Sequence, residues 1–290
     1  MRIFVTGATG WVGSVIVRDL IDASHQVTGL VRSPEKAAEL ASSGAKTVQG
    51  DLDDLDLLSA SAAEADAVIH TAFNHDFSKF AENAEQDRRV IGALGKSLQG
   101  SGRPLIATSG LSGIVQGRAV TETDLSPASS VRKSEAAAQE LIERGVRAAV
   151  IRLAPSVHGV GEHGFVSFVI RLAREKGVSA YLGDGMNRWA GVHRLDAGRL
   201  YRLALEQGAT ESIYHAVADE GVPFKDIAVA IGHRLGLPVE SRPAEHFSWL
   251  ARFVGADMRG SSDRTRELTG WKPIGPDLLT ELDQPGYYAK

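Results

Sequence analysis

Short apolar runs alternate with amphipathic stretches along the first half of the chain. Residues 2–6 are rich in β-formers and stop at Gly7, and residues 11–21 then place Val12, Val15, Ile16 and Leu20 at helical spacing. The alternation continues with a strand over 27–31, a helix over 34–42 with proline in its first turn, a strand over 45–48, a helix over 55–62 and a strand over 65–71. A longer helical stretch covers 79–98, and strands over 103–108 and 146–153 flank a helix over 131–144. Strands interleaved with helices imply parallel crossovers and a sheet covered on both faces. The pattern therefore predicts an α/β protein built on a doubly wound parallel sheet over residues 1–155.

The second half is less regular. Residues 177–191 read as a glycine-rich loop, 195–206 as a helix and 212–216 as a strand. Residues 224–235 form an amphipathic helix with Ile227, Ala230, Ile231 and Leu235 on one face. Pro273, Pro276 and Pro285 predict largely irregular backbone over 271–290. We expect 156–290 to be a smaller, substrate-binding α/β region, with the chain returning to the main sheet near 190–217.

Composition narrows the chemistry. At 290 residues and 43% hydrophobic, the chain can bury a sizeable core. Lys and Arg total 32 against 36 Asp and Glu, which leaves no cationic surplus for nucleic acid or an anionic membrane. Cysteine is absent, which excludes disulfides, thiolate nucleophiles and Cys-ligated zinc or iron–sulfur clusters. The run from Met1 to Thr6 is too short for a secretion signal, and no apolar stretch reaches the roughly 18 residues of a spanning helix. A cytoplasmic protein acting on a small molecule is expected.

Thr6-Gly7-Ala8-Thr9-Gly10-Trp11-Val12-Gly13 lies between the first predicted strand and the first predicted helix. Glycines there permit a tight turn, close backbone approach to a pyrophosphate and close helix–strand packing. The helix N-terminus adds unpaired N–H groups and a dipole favourable to an anion. Thr6, Gly7, Thr9, Gly10, Trp11, Val12 and Gly13 are therefore candidate cofactor contacts. A glycine turn without a ligand is the bland alternative.

With this motif the chain resembles the extended short-chain dehydrogenase/reductase superfamily, which includes sugar-nucleotide epimerases, steroid dehydrogenases and dihydroflavonol reductases. Further segments carry the resemblance in order: Gly50-Asp51-Leu52, Ala67-Val68-Ile69-His70-Thr71-Ala72, and Arg152-Leu153-Ala154-Pro155-Ser156-Val157-His158-Gly159. Gly183-Asp184-Gly185 with Val192-His193-Arg194-Leu195-Asp196, then Leu268-Thr269-Gly270-Trp271-Lys272-Pro273, extend it over about the whole chain. The resemblance implies a Rossmann fold and a nicotinamide dinucleotide. It places Asp51 and Leu52 at the adenine, and Thr71, Ala72, Phe73 and Thr108 beside the nicotinamide half, with Pro155, Val157 and His158 covering it. A monomer, or a homodimer paired through the helices near 79–98 and 131–144, is also implied.

An Asp or Glu about 20 residues past the glycines hydrogen-bonds the ribose 2′-OH, whereas an Arg accommodates a 2′-phosphate. Here Val31 is followed by Arg32, Ser33 and, in the next turn, Lys36, with no carboxylate at the strand end. NADP(H) is favoured over NAD(H) on that ground, against the alternative of a solvated loop arginine.

The resemblance also implies a catalytic Tyr-x-x-x-Lys, which aligns on Val131-Arg132-Lys133-Ser134-Glu135. Tyrosine has become Val131, lysine has become Glu135, and Gly110 stands where the superfamily has a serine. Lys133 cannot simply substitute, because two helical residues turn about 200°. Glu135 could accept bonds from the cofactor ribose, or be neutralised by Arg132 or Lys133. Ser109 and Ser112 could bind a substrate oxygen, or merely fill a turn of small residues. Candidates for a replacement acid are His75, His158, His163 and Tyr181, each weighed against a purely hydrogen-bonded role. His70, at the end of a buried strand, reads as structural, and His158 with His163 lacks a third ligand, so no metal is expected.

The reading is an NAD(P)-dependent, NADPH-preferring oxidoreductase acting on a small apolar aldehyde or ketone, or on the matching alcohol, through a non-tyrosine acid. Phe73, Phe77, Phe165, Tyr181 and Trp189 would line an apolar cleft. The missing Tyr and Lys also suit an NADP-binding, redox-sensing regulator without turnover. A sugar-nucleotide epimerase or dehydratase is weaker, since no basic cluster awaits a diphosphate.

Overall fold

The computed structural model describes residues 1–288, apart from the side chain of Phe77, which lies outside the described set. The first half runs β1 (Arg2–Thr6), α1 (Gly13–Asp22), β2 (Gln26–Val31), α2 (Pro34–Ser42), β3 (Lys46–Gln49), α3 (Leu55–Glu64), β4 (Ala67–His70), α4 (Phe80–Lys96), β5 (Leu105–Gly110), α5 (Ser134–Glu143) and β6 (Ala148–Leu153). After β7 (Ser156–His158), α6 (Phe165–Lys176), β8 (Ser179–Leu182), β9 (Arg188–His193) and α7 (Arg194–Glu206) comes β10 (Ile213–Ala216). The chain continues through β11 (Asp219–Pro223), α8 (Phe224–Leu235), β12 (Val239–Arg242), two short helices α9 (Ala244–Phe247) and α10 (Ala251–Val254), then α11 (Asp263–Thr269) and α12 (Leu278–Leu282).

Seven strands form one sheet in the order β10-β6-β5-β4-β1-β2-β3, every neighbouring pair parallel. The chain winds outward from β1 to β3 and then crosses back to β4, so the strand order reverses between β1 and β4. A crevice beyond the carboxyl ends of those two strands is where such sheets take ligands. Alternate residues feed opposite faces: Ile3 and Val5 join the core under α1, α2 and α7, while Phe4 joins the core under α3, α4 and α5. Ile69 and Val68 divide in the same way.

β10 brings the second half back to the main sheet against β6. The rest of that half builds a third core around Trp189, Phe224, Ile227 and Phe247, with a three-stranded sheet β11-β9-β7 and a two-stranded pair β12-β8. The expected loop over 177–191 is instead β8, a tight turn through Gly183 (φ +60°) and Gly185 (φ +69°), and β9. Its glycines serve the turn, while Ala180, Trp189, Ala190 and Val192 give the strands buried side chains. The proline-rich end hides α12, started by Asp277, whose Oδ1 accepts from the Thr280 N–H at 2.7 Å. Residues 289–290 of that stretch lie outside the described set. No helix among the described residues is long and apolar enough to cross a membrane.

Candidate functional site

The loop between β1 and α1 has no room for side chains at two of its glycines. Gly7 sits at φ +69°, and a Cβ there would meet Thr71 Oγ1 at 2.6 Å; one on Gly13 would lie 2.0 Å from the Gly7 carbonyl oxygen. The Gly10 N–H closes the turn onto that same oxygen at 2.9 Å. No side chain caps the start of α1, so its first N–H groups face the loop without a protein acceptor from a cap. Backbone donors, a helix N-terminus and enforced absence of Cβ atoms make a cradle that fits a dinucleotide pyrophosphate. Thr9, Gly10 and Val12 lie on it.

Thr6 is placed differently. Its fully buried hydroxyl bonds His70 Nδ1 at 2.7 Å, and its carbonyl accepts from Thr71 Oγ1 at 2.8 Å. Thr6 thus stitches β1 to β4 beneath the cradle, and its side chain does not reach a ligand. Trp11 spans the cleft: Nε1 donates to the Val157 carbonyl at 2.7 Å, and the Arg194 guanidinium lies 3.7 Å over the ring. Arg194 also donates to Trp11 O and Ser14 Oγ, at 2.9 and 3.0 Å. The second half is thereby fastened to the glycine loop.

At the adenosine end, Arg32 is exposed just past β2 with no ion pair among the described residues. Ser33 accepts from the Lys36 N–H to cap α2, and Lys36 Nζ is turned to Glu39 at 2.6 Å. Asp51 is exposed and accepts from the Asp53 N–H at 2.8 Å, with half-buried Leu52 beside it.

The nicotinamide end is built from Thr71, Ala72 and Phe73 after β4, from Thr108 near the end of β5, and from Pro155 and Val157 after β6. Thr108 Oγ1 donates to His70 O at 2.9 Å and meets the Tyr201 hydroxyl at 2.8 Å, so its side chain is committed to the interior. Glu135 is committed too, but not to Arg132 or Lys133. Fully buried Arg152 forks onto it, with Nε–Oε1 at 3.0 Å and Nη2–Oε2 at 2.6 Å. Two of the carboxylate's acceptor positions are thereby taken by Arg152.

The acid candidates separate. His158 is fully buried on β7, its ring against His193 and its Nε2 3.7 Å from Asp219, because strand alternation turns it away from the cleft. Tyr181 lies in the separate pair β12-β8 with Lys225 over its ring, and His163 packs edge-on against Trp11. Ser109 is buried on β5, and Ser112 is exposed beyond it. Trp189 and Phe165 pack into the third core with Phe253 and Phe224, not along an apolar cleft, since large aromatics gain most when fully buried. Among the described residues of the expected group, His75 and Phe73 stand together after β4, their rings 5.5 Å apart in an edge contact, while the Phe77 side chain lies outside the described set.

Sequence reasoning missed the side chain that joins them. The Arg132 guanidinium stacks on Phe73 at 4.0 Å, on the next residue after exposed Val131. Its Nη2 donates to Thr108 O at 3.0 Å and its Nε to Ser134 Oγ at 2.8 Å. The Ser134 hydroxyl donates a hydrogen bond to Asp87 Oδ2 at 2.5 Å, and Asp87 Oδ1 meets His70 Nε2 at 2.9 Å. A buried chain Thr6–His70–Asp87–Ser134 therefore ends at Arg132. Burial lowers the Arg132 pKa, with Asp87, Tyr201 and Glu135 opposing. Desolvation, and then Arg132, push the His75 pKa below its ordinary 6.5, so its ring is neutral at neutral pH. The signal available was the Arg-Lys-Ser run at the start of α5.

The family described as NAD(P)H-binding matches residues 7–156. An uncharacterised protein of Schizosaccharomyces pombe (strain 972) is 47% identical, over 99% of this chain and 100% of its own. The 2-alkyl-3-oxoalkanoate reductase of Stenotrophomonas maltophilia (strain K279a) is 26% identical over 100% of this chain and 91% of that protein. The decarboxylating sterol-4-alpha-carboxylate 3-dehydrogenase of Dictyostelium discoideum is 25% identical over 77% and 73% respectively. Among solved structures, the Thermus thermophilus UDP-glucose 4-epimerase in complex with NAD shares the fold, with TM-score 0.76 and 21% identity over 99% of this chain and 98% of that one.

Proposed function

This chain belongs to the NAD(P)H-binding family, and from that footing we propose that it is an NADPH-dependent oxidoreductase reducing a small, largely apolar aldehyde or ketone, or oxidising the matching alcohol. The observation that carries the reading is the cradle itself, where a Cβ on Gly13 would strike the Gly7 carbonyl at 2.0 Å. The Phe73, His75 and Arg132 cluster stands beside it, past the end of β4 and tied to β5 through the Thr108 carbonyl. The relatives named as a reductase and a dehydrogenase support the same class of chemistry.

Gly7 to Gly13 would hold the pyrophosphate, Arg32 the 2′-phosphate, and Thr71 to Phe73 with Pro155 and Val157 the nicotinamide half. When bound, the nicotinamide supplies or takes the hydride. The chain's own groups then have to orient the carbonyl and meet the charge that grows on its oxygen. Neutral His75 brings a hydrogen bond to that oxygen, and Arg132 brings a fixed cation beside it that orients the substrate. Val131 and Glu135 do neither.

A second reading, a regulator that binds NADP without turnover, is favoured by the locking of Glu135 onto Arg152 and by the exposed Val131. NADPH oxidation against a panel of aliphatic and aromatic carbonyls, with NADPH binding followed by fluorescence in the same sample, separates the two. Turnover is the expected result. Tight binding with no turnover on any substrate selects the regulator.

A further inference from the structure

We infer that Arg132 is the anchor for a carboxylate on the substrate, so that the molecule acted on is an oxo acid or the corresponding hydroxy acid with an apolar remainder. This rests on the oxidoreductase reading above and names its substrate class.

Nε of Arg132 donates to the Ser134 hydroxyl and Nη2 to the Thr108 carbonyl, both neutral acceptors. The carboxylates nearby are already engaged: Asp87 by His70 and Ser134, and Glu135 by Arg152 through two bonds. Nη1 has no partner among the described residues. The half-buried guanidinium feels Asp87 and Glu135 only at a distance, bonds directly to neutral acceptors alone, and keeps Nη1 open to an incoming anion.

Position says which anion. Arg132 is tied to the end of β5, and β5 is separated from β1 by β4. At about 4.8 Å per strand, that is on the order of 10 Å from the glycine loop that takes the pyrophosphate. Held on Phe73 and the Thr108 carbonyl, the guanidinium belongs to the nicotinamide end of the sheet, where a substrate would lie, more than to the glycine loop.

Orientation completes the case. Of five guanidinium N–H groups, two are spent on Ser134 and Thr108, leaving both on Nη1 and one on Nη2. Those three include the side-by-side pair that grips a planar carboxylate. Stacking on Phe73 at 4.0 Å and the Ser134–Asp87–His70 chain hold the fork in place. Ser134 and Asp87 are positioning residues in this scheme. Phe73, whose ring carries the guanidinium, offers the apolar surface for the remainder.

The test uses the intact chain and calorimetry, with and without NADPH. Phenylglyoxylate, acetoacetate and 2-oxooctanoate are each compared with their methyl esters. The wild type should bind at least one acid tenfold or more tighter than its ester. Arg132→Gln should abolish that preference while NADPH affinity stays within twofold. Arg132→Lys, a point charge without the fork, should recover only part of it. Ser134→Ala should weaken the acid about threefold and leave the ester unchanged, which a merely structural role would not do. No preference for any acid in the wild type overturns the proposal, as does an Arg132→Gln protein that loses NADPH by the same factor. Should Arg132→Gln fail to fold, the wild-type preference and Arg132→Lys decide. Failure of the wild type to bind NADPH defeats the oxidoreductase reading, while the acid-to-ester ratio without nucleotide still judges Arg132 separately.

Discussion

Arg32 is exposed past the end of β2 and has no hydrogen bond or ion pair among the described residues that would have to be broken before it grips a phosphate. A charge-assisted hydrogen bond to such a group is worth about 1.5–3 kcal/mol. Arg32→Ala should therefore weaken NADPH by roughly 10- to 100-fold and NADH by less than twofold. Equal losses in a fluorescence titration would remove the NADP preference. The glycine turn was legible in the sequence because it depends on local backbone: Gly7 and Gly13 leave no room for a Cβ where the chain order puts them. Glu135, His158 and Arg132 were not legible in that way. Glu135 is decided by Arg152, a strand away on β6, and His158 by which face of β7 turns inward. Arg132 gains its meaning from Phe73, some sixty positions earlier, through a contact no periodicity encodes.

Among the elements, the segment between β7 and α6 is joined to the turn over Pro285–Tyr288 by one buried pair. The Tyr287 hydroxyl donates to Glu162, whose pKa burial raises to about 7, with Glu281 adding to the effect. A folded pKa above the unfolded value means the stabilisation is complete below about pH 4.5 and lost as pH rises through about 7. The span corresponds to about 3 kcal/mol. Glu162→Gln should accordingly match the wild type in thermal melts near pH 4.5 and exceed it above pH 7. His215 acts in the opposite sense. Its Nε2 accepts from Arg152 at 3.2 Å and its Nδ1 donates to Ser261 O at 2.7 Å, and burial lowers its pKa. That contribution is present above pH 6.5 and lost as pH falls through the lowered value, so an acid arm should persist in Glu162→Gln. A variant whose melting temperature tracks the wild type from pH 4.5 to 8 would contradict the assignment to Glu162. The strands and helices of the first half were readable because burial on two faces writes a clear period. β8 and β9 escaped because the glycines of their turn masked two short strands.

Over the whole molecule, the segments near 196 and 271 that carry the sequence resemblance prove to be one structural joint. Asp196 is buried, its Oδ2 accepts from the Ile274 and Gly275 N–H groups at 3.0 and 2.7 Å, and Trp271 Nε1 donates to its carbonyl at 2.9 Å. α7, which bears Asp196, packs on α1 so closely that a Cβ on Gly198 would sit 3.0 Å from Val15. β10 then closes the edge of the main sheet against β6. The two halves named from the sequence are thus regions of one interlocked body. Cut after residue 155, neither piece would be a finished protein: the first would present the bare rim of β6 and an uncovered flank of α1, the second a strand with no ladder to join. Each piece is the other's missing part, so the chain is suited to serve as a split reporter. Expressed singly, the fragments should aggregate; expressed together, they should reassemble and bind NADPH, with co-purification as the readout, and a soluble, monomeric first fragment would show that β10 is dispensable.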